Sequence, residues 1–289
     1  MPNDEIAAVL ARPDLDALLA TDLELGELAD RADGVARERR RIGRLIENGA
    51  VAITGRSSLV LLRPLSWDTR HFGHGCADLV RIYGEDPPID EAVRRARSLG
   101  VRLLSARCRA ERVDLAGALE RQGFELVDTS VELGAALTSA APSRARPRRA
   151  EDLVALRAIA RSFRANRFHL DRRIDPERAD ALYESWAEHG AALVVDDGGD
   201  GIAGFCGWRP PDTDDPLRVG ALTLIVISPE ARGRGHFGEL VGGVRAALLS
   251  AGARLMVTST QIHNAAALRA FQREGLRPFG ARHVFHRWI

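Results

Sequence analysis

The stretch LTLIVISPEARGRGHFGEL, Leu222 to Leu240, decides the fold. Its first six residues are an apolar run, broken by Thr223 alone, that reads as a buried strand stopped at Ser228-Pro229. Arg232, Gly233, Arg234, Gly235, His236, Phe237 and Gly238 then read as a turn that opens a helix. The first amides of a helix have no intrahelical acceptor, and glycines let a ligand approach the backbone closely. Such a loop is a ready seat for a phosphate or diphosphate. A Walker loop is excluded, because no Gly-Lys-Ser/Thr follows. A dinucleotide fingerprint does not fit either, since the loop follows a late strand after a hairpin, with no acidic residue closing a downstream strand.

Working outward, the loop is preceded by the helix EDLVALRAIARSF, the segment FRANRFHLDRRIDPERADALYESWAEHG, and the strands AALVVDD and GIAGFCGW. It is followed by the strand ARLMVTST, the helix NAAALRAFQREG and the strand LRPFGARHVFHRWI. A second copy of this order lies upstream. SLGVRLLSARC from Ser98 aligns without a gap on SAGARLMVTST from Ser250, and in the same register ALERQGF from Ala118 falls on AFQREGL from Ala270. Gly123 and Gly275 fall where a left-handed residue stops each helix. Register kept across a strand and a helix indicates duplication. The first copy has no counterpart of the glycine loop, so one half reads as active and the other as degenerate.

Strand, RGxG loop, helix, strand, and Asn264 opening a helix with an aromatic resemble the GNAT acyltransferases from about Arg148 to Ile289. The resemblance implies an α/β fold of two tandem GNAT-like halves. Each would carry a mixed, mostly antiparallel sheet flanked by helices, behind an N-terminal helical extension. The implied domains are a helical extension over 1–49, a degenerate GNAT-like domain over 50–140 and an acyl-CoA-binding domain over 141–289. Acetyl-CoA, or another acyl-CoA, would be the co-substrate. Its diphosphate would lie on the amides of Arg232 to Gly238, its pantetheine along Ile225, Val226 and Ile227, with Asn264 and Phe271 nearby. Two residues depart from the family's pattern. Phe237 stands where Gly or Ala is usual, and Phe271 where a proton-donating Tyr is usual. SWDTRHFG, RFHLDRRIDPERADALYESW and IHNAAALRAF further resemble the dTDP-fucosamine N-acetyltransferase group. That implies a small-molecule amine as acceptor, such as a nucleotide amino sugar or a specialised metabolite.

The strand ALTLIVI offers no carboxylate, only Thr223, so any acid or base must come from elsewhere. His263 beside Asn264 is one candidate, or a capping residue. His169 and Asp171 are candidates to bind or deprotonate the amine, or to stabilise a loop. His236 reads as touching phosphate or solvent, and His286 as structural.

Composition narrows the field further. All 41 basic residues are Arg, which excludes Schiff-base and Ser–Lys chemistry. They balance 40 acidic residues, so no global basic field points to nucleic acid. The three Cys show no metal spacing, and the N-terminus is acidic with no apolar core. No run approaches the ~20 apolar residues of a membrane span. The expectation is a cytoplasmic enzyme without metal, of unassigned oligomeric state. Arg37, Arg39, Arg40, Arg41 and Arg44 form either a solvated helix face or a polyanion surface. The second reading leaves a transferase fed by aminoacyl-tRNA or a carrier-protein thioester as the alternative, beside a non-catalytic binding module. TSAAPSRARPRR, around Ala141 to Pro147, reads as the linker.

Overall fold

The computed structural model describes residues 2–23, 25, 28–199 and 201–289. The strands are β1 (Val51–Thr54), β2 (Ser58–Pro64), β3 (Gly75–Gly84), β4 (Val101–Arg109), β5 (Glu125–Ala136) and β6 (Arg146–Pro147). They continue with β7 (Ala191–Asp196), β8 (Ile202–Arg209), β9 (Val219–Ile227), β10 (Leu255–Gln261) and β11 (Arg277–Trp288). The helices are α1 (Pro2–Leu10), α2 (Leu15–Leu19), α3 (Arg31–Glu47), α4 (Ser66–Phe72), α5 (Ile89–Ser98) and α6 (Val113–Arg121). After these come α7 (Leu153–Arg161), α8 (Arg167–Leu170), α9 (Pro176–Glu188), α10 (His236–Ser250) and α11 (Ala265–Arg273).

The chain forms two compact units, Met1–Ser130 with Gly280–Ile289, and Val131–Phe279. The first unit orders its strands β1-β2-β3-β4-β11, and the second β10-β9-β8-β7-β6. The expected helical extension over 1–49 is part of the first unit, and the remaining bounds differ from the expected ones at two places. Residues 131–140 cluster with the second unit, and the last ten residues with the first. The second difference has a clear cause: β11 pairs antiparallel with β4 from Arg282↔Arg109 to Trp288↔Leu103. A partner so distant in the chain leaves no trace in local pattern.

The repeat is visible in the elements themselves. α6 and α11 are both nine residues long, and β5 and β11 are both twelve. Gly123 and Gly275 both take left-handed backbone, at φ 74 and 79°, as the two helix stops require.

In the first unit β3 and β4 run parallel and stay paired only as far as Leu79↔Ala106. Beyond that point both strands continue, β3 to Gly84 and β4 to Arg109, and residues 21–23 bridge their ends. Gly84 N donates to Thr21 Oγ1 (3.1 Å) and Arg109 Nη1 to Leu23 O (2.7 Å). Leu15, Leu18 and Leu19 of α2 and Ile42 and Ile46 of α3 pack with Leu59, Leu61 and Tyr83 in one buried cluster. The N-terminal helices therefore cover one face of this sheet, and the segment between α2 and α3 ties the ends of its parallel strands.

The arginine stretch on α3 is largely tied down rather than a uniform solvated face. Arg37 and Arg41 lie within 3.8 and 3.4 Å of the buried Glu38 carboxylate, and Arg39 reaches Asp16 at 2.7 Å. Of the five, Arg40 is the one that is exposed.

The stretch that composition marks as a linker is also more ordered than expected. Within the second unit, β6 pairs with β7 (Arg146↔Val194, Pro147↔Leu193), and Ser143 Oγ donates to Glu239 O at 2.6 Å. Arg146 spans Asp152 and Asp196, both at 2.8 Å. Such long-range pairings are set by geometry that Ser, Pro and Arg content does not encode.

Burial pushes the Cys206 thiol up to about 12, and burial with the Asp22 carboxylate does the same to Cys108. Both are buried and free. At pH 8 the native protein is expected to leave both unmodified by iodoacetamide, as peptide mass mapping will show, and to expose them on unfolding. A thiol pKa raised above its ordinary 9.0 means the folded state holds its proton longer. That stabilising contribution is complete below pH 9 and is lost as pH rises towards 12.

Candidate acyl-CoA site

β9 pairs antiparallel with β8 along most of its length, from Gly204↔Ile227 to Arg209↔Ala221. The register shifts between Gly207 and Trp208, opposite Leu224 and Leu222, which leaves Thr223 as the extra residue of a bulge. On its other edge β9 pairs parallel with β10 only at Val219, Gly220 and Ala221. From Leu222 onward that edge is outside the ladder, because the two strands part.

The parting opens on a cavity of about 760 Å³ within the second unit. Ile225, Val226 and Ile227 form one wall, and the turn Arg232, Gly233, Gly235, His236, Phe237 and Gly238 forms another. Asn264, Ala266, Ala267, Ala270, Arg273 and Glu274 contribute from α11 and its ends, and Ser162, Phe163, Arg164 and Ala165 from the segment after α7.

Gly235 is the N-cap of α10 and is left-handed, at φ 86°. The amides of Gly238 and Glu239 already donate to Gly235 O, at 3.0 and 3.3 Å. Helix geometry leaves the amides before them, those of His236 and Phe237, for a ligand. Asn264 caps α11 through Oδ1, which accepts from Ala267 N at 3.2 Å, so its Nδ2 is the end free to donate elsewhere. Charged groups on the wall are Arg164, Arg232 and Arg273 against Glu274 alone, a balance that suits a polyanion.

Ten of the twelve residues expected at a cofactor line this cavity; Arg234 and Phe271 do not. Arg234 is exposed. Phe271 is 1% exposed and belongs to the core, its ring 4.9 Å from that of Phe237 at 71°. The two departures from the family pattern are thus one edge-to-face pair, with Phe237 on the wall and Phe271 behind it.

None of the three residues expected to act as acid or base lies on the wall. His263 is exposed beside the cap of α11. Asp171 is buried and takes the backbone N and Nε of Arg173 on Oδ1, at 3.1 and 3.0 Å. His169 has both ring nitrogens engaged. Asn166 Oδ1 accepts from the amides of Phe168 and His169 (3.0 and 3.2 Å), so its Nδ2 must donate to His169 Nδ1 at 2.8 Å. His169 Nε2 then carries the proton and donates to Asp180 Oδ1 at 2.8 Å. His236 is 6% exposed, and neither ring nitrogen has a hydrogen-bond partner.

The residues that sequence reasoning missed are Ser162 to Ala165 and the α11 positions Ala266, Ala267, Ala270, Arg273 and Glu274. The helical period of α11 could have placed the latter, since they follow Asn264 on one face. Nothing local marks the former.

Parted parallel strands over a glycine turn that starts a helix are the arrangement that the resemblance to the GNAT acyltransferases implies. Residues 155–276 match the family model described as Acetyltransferase (GNAT) family, so the second half carries a GNAT domain. The dTDP-fucosamine acetyltransferase of Escherichia coli O6:H1 is 26% identical over 222 residues, covering 74% of this chain and 92% of that protein. A GCN5-related N-acetyltransferase from Sphaerobacter thermophilus superposes with a TM-score of 0.59 at 16% identity, over 100% of this chain and 93% of that one. A tandem GNAT protein from the clavulanic acid biosynthesis pathway gives 0.55 at 14% identity, over 99% and 95%. At these identities the two structures speak to the fold, which they share across both halves. Among the described residues, no helix is long and apolar enough to cross a membrane, and no group of three His, Cys, Asp or Glu could hold a metal ion.

Proposed function

We propose that the protein transfers an acetyl group from acetyl-CoA to the amine of a small molecule, with a nucleotide-linked amino sugar as the favoured acceptor, in the cytoplasm. The observation that carries this reading is the cavity where β9 and β10 part, walled by a free strand edge and a helix-opening glycine turn. Its lining supports acetyl-CoA as the occupant: backbone amides at the start of α10 with Arg232 and Arg273 for the diphosphate, and the edge of Ile225 to Ile227 for the amide-bearing arm. The acceptor class is supported by the relative acting on dTDP-fucosamine, matched over most of its length.

When bound, acetyl-CoA supplies a thioester whose carbonyl is open to an amine. The chain's part is to hold and orient it. Amides at the start of α10 fix the diphosphate end, and the strand edge fixes the depth to which the arm enters. Phe237 and Phe271 keep the adjoining wall apolar and dry. No carboxylate stands on the β9 wall and Phe271 carries no proton, so the amine is taken in its neutral form. A thiolate is a weak enough base to leave without a protein acid as the C–N bond forms, and the proton that the amine loses passes through water to the sulfur. Rate should accordingly rise with pH until the acceptor amine is neutral.

The test is release of free CoA thiol, read with a chromogenic disulfide, from acetyl-CoA mixed with a panel of nucleotide-linked and free amino sugars. Release above background with at least one nucleotide-linked amino sugar is the expected result. Background rates across the panel, from protein shown to bind acetyl-CoA, would overturn the acceptor class.

A further inference from the structure

We propose that Arg164 binds a phosphate or diphosphate group on the acceptor, and that the buried His169–Asp180 pair serves to aim it. The inference rests on the acyl-transfer reading above and adds to it the group by which the acceptor is recognised.

Arg164 lies on the cavity wall in the short segment after α7, separate from the turn and strand assigned to the cofactor. Its side chain is 67% exposed, yet its Nη2 donates at 2.8 Å to Asp180, whose side chain is only 3% exposed. Asp180 takes Arg164 on Oδ2 and His169 Nε2 on Oδ1. His169 in turn is held at Nδ1 by Asn166, which is 1% exposed and also donates to Phe163 O at 3.1 Å. Three polar side chains from α8, its cap and α9 thus converge on a four-residue stretch of cavity wall.

Exposed ion pairs add little to stability, and burying a carboxylate is costly. A buried, histidine-backed carboxylate behind an exposed arginine is a poor way to stabilise a fold and a good way to fix a guanidinium. Asp180 uses one of the five N–H groups of Arg164 and leaves the planar fork directed by a rigid support. That fork matches the oxygens of a phosphate ester in pairs. Phe163, the neighbouring wall residue, is held by ring contacts to Tyr183 at 5.0 Å and through it to Trp186 at 4.8 Å. An apolar ring beside a fixed cation suits a nucleoside diphosphate better than a free sugar. His169 is on this account a positioning residue, acting through Asp180.

The experiment titrates acetyl-CoA-saturated protein with dTDP, and with thymidine as the uncharged control, by calorimetry. Arg164→Ala should weaken dTDP about tenfold or more, with acetyl-CoA affinity within about twofold and thymidine unaffected. His169→Ala should weaken dTDP by about three- to tenfold, and His169→Gln, which can still donate to Asp180, should restore most of it. A purely structural His169 would move thermal stability in both variants without separating dTDP from acetyl-CoA. Unchanged dTDP affinity in Arg164→Ala, or an equal loss for acetyl-CoA, would overturn the proposal. So would dTDP heat that disappears once acetyl-CoA is bound, which would put the nucleotide on the glycine turn. If acetyl-CoA itself fails to bind, the acyl-transfer reading fails instead, and titration of the free protein with dTDP still decides the role of Arg164.

Discussion

Replacing Gly235 by Val is expected to weaken acetyl-CoA binding about 30-fold or more, while costing the fold only about 1–2 kcal/mol. Gly235 has no heavy atom within 4 Å of where a Cβ would stand, so the penalty is not a clash. It comes from the left-handed backbone at φ 86°, which a β-branched residue adopts only under strain. Relaxing that strain turns the peptide that starts α10 and re-aims the amides of His236 and Phe237. Stability is touched lightly because the residue is exposed at a helix end; binding is touched heavily because those amides are the proposed seat. Titration calorimetry and thermal melts on the same preparation separate the two effects. Equal affinity in Gly235→Val and wild type would mean that the turn does not hold the cofactor.

Replacing Glu38 by Ala is expected to cost about 3–5 kcal/mol, the usual loss when one partner of a buried ion cluster is removed. The Glu38 side chain is 2% exposed and accepts from Arg81 Nε and Tyr83 Oη, both at 2.9 Å, with Arg41 and Arg37 farther out. Burial first, and then the Glu38 carboxylate, push the Tyr83 hydroxyl well above its ordinary value, so it remains a donor. Without the carboxylate, a buried guanidinium and a buried hydroxyl lose their shared acceptor beneath the N-terminal helices. Glu38→Gln keeps an oxygen for Tyr83 but not the charge, and should fall between the two. Urea unfolding followed by circular dichroism measures the loss. Because Glu38 lies in the unit without the glycine turn, acetyl-CoA affinity should stay within about twofold. A midpoint unchanged in Glu38→Ala would show that the cluster contributes nothing net.

The second half was legible in the sequence because its signals are local. An apolar run ending at Ser228-Pro229, two glycines around Arg234 and an Asn at a helix start are each readable within a few residues. The repeat was legible for the same reason: Gly123 and Gly275 sit at matching helix stops. What was hidden depends on contacts between distant segments. Phe237 and Phe271 looked like two separate departures and are one ring pair. His169 reads from sequence either as a residue for the amine or as a loop stabiliser, and its partners are Asn166, three residues earlier, and Asp180, on a helix whose facing local pattern does not fix. The N-terminal helices showed their period, yet not that Thr21 and Leu23 would tie the ends of β3 and β4.

That last contact bears on the central claim, which is that this tandem protein has one cofactor seat and not two. In the second unit the parted strands open on a cavity; in the first, Thr21 and Leu23 bond to the ends of the two parallel strands. The most direct test is the stoichiometry of acetyl-CoA binding by titration calorimetry on the full chain. One molecule per chain, with the signal abolished or strongly weakened in Gly235→Val, is the predicted result. Two molecules per chain, or no heat at millimolar ligand, would contradict it.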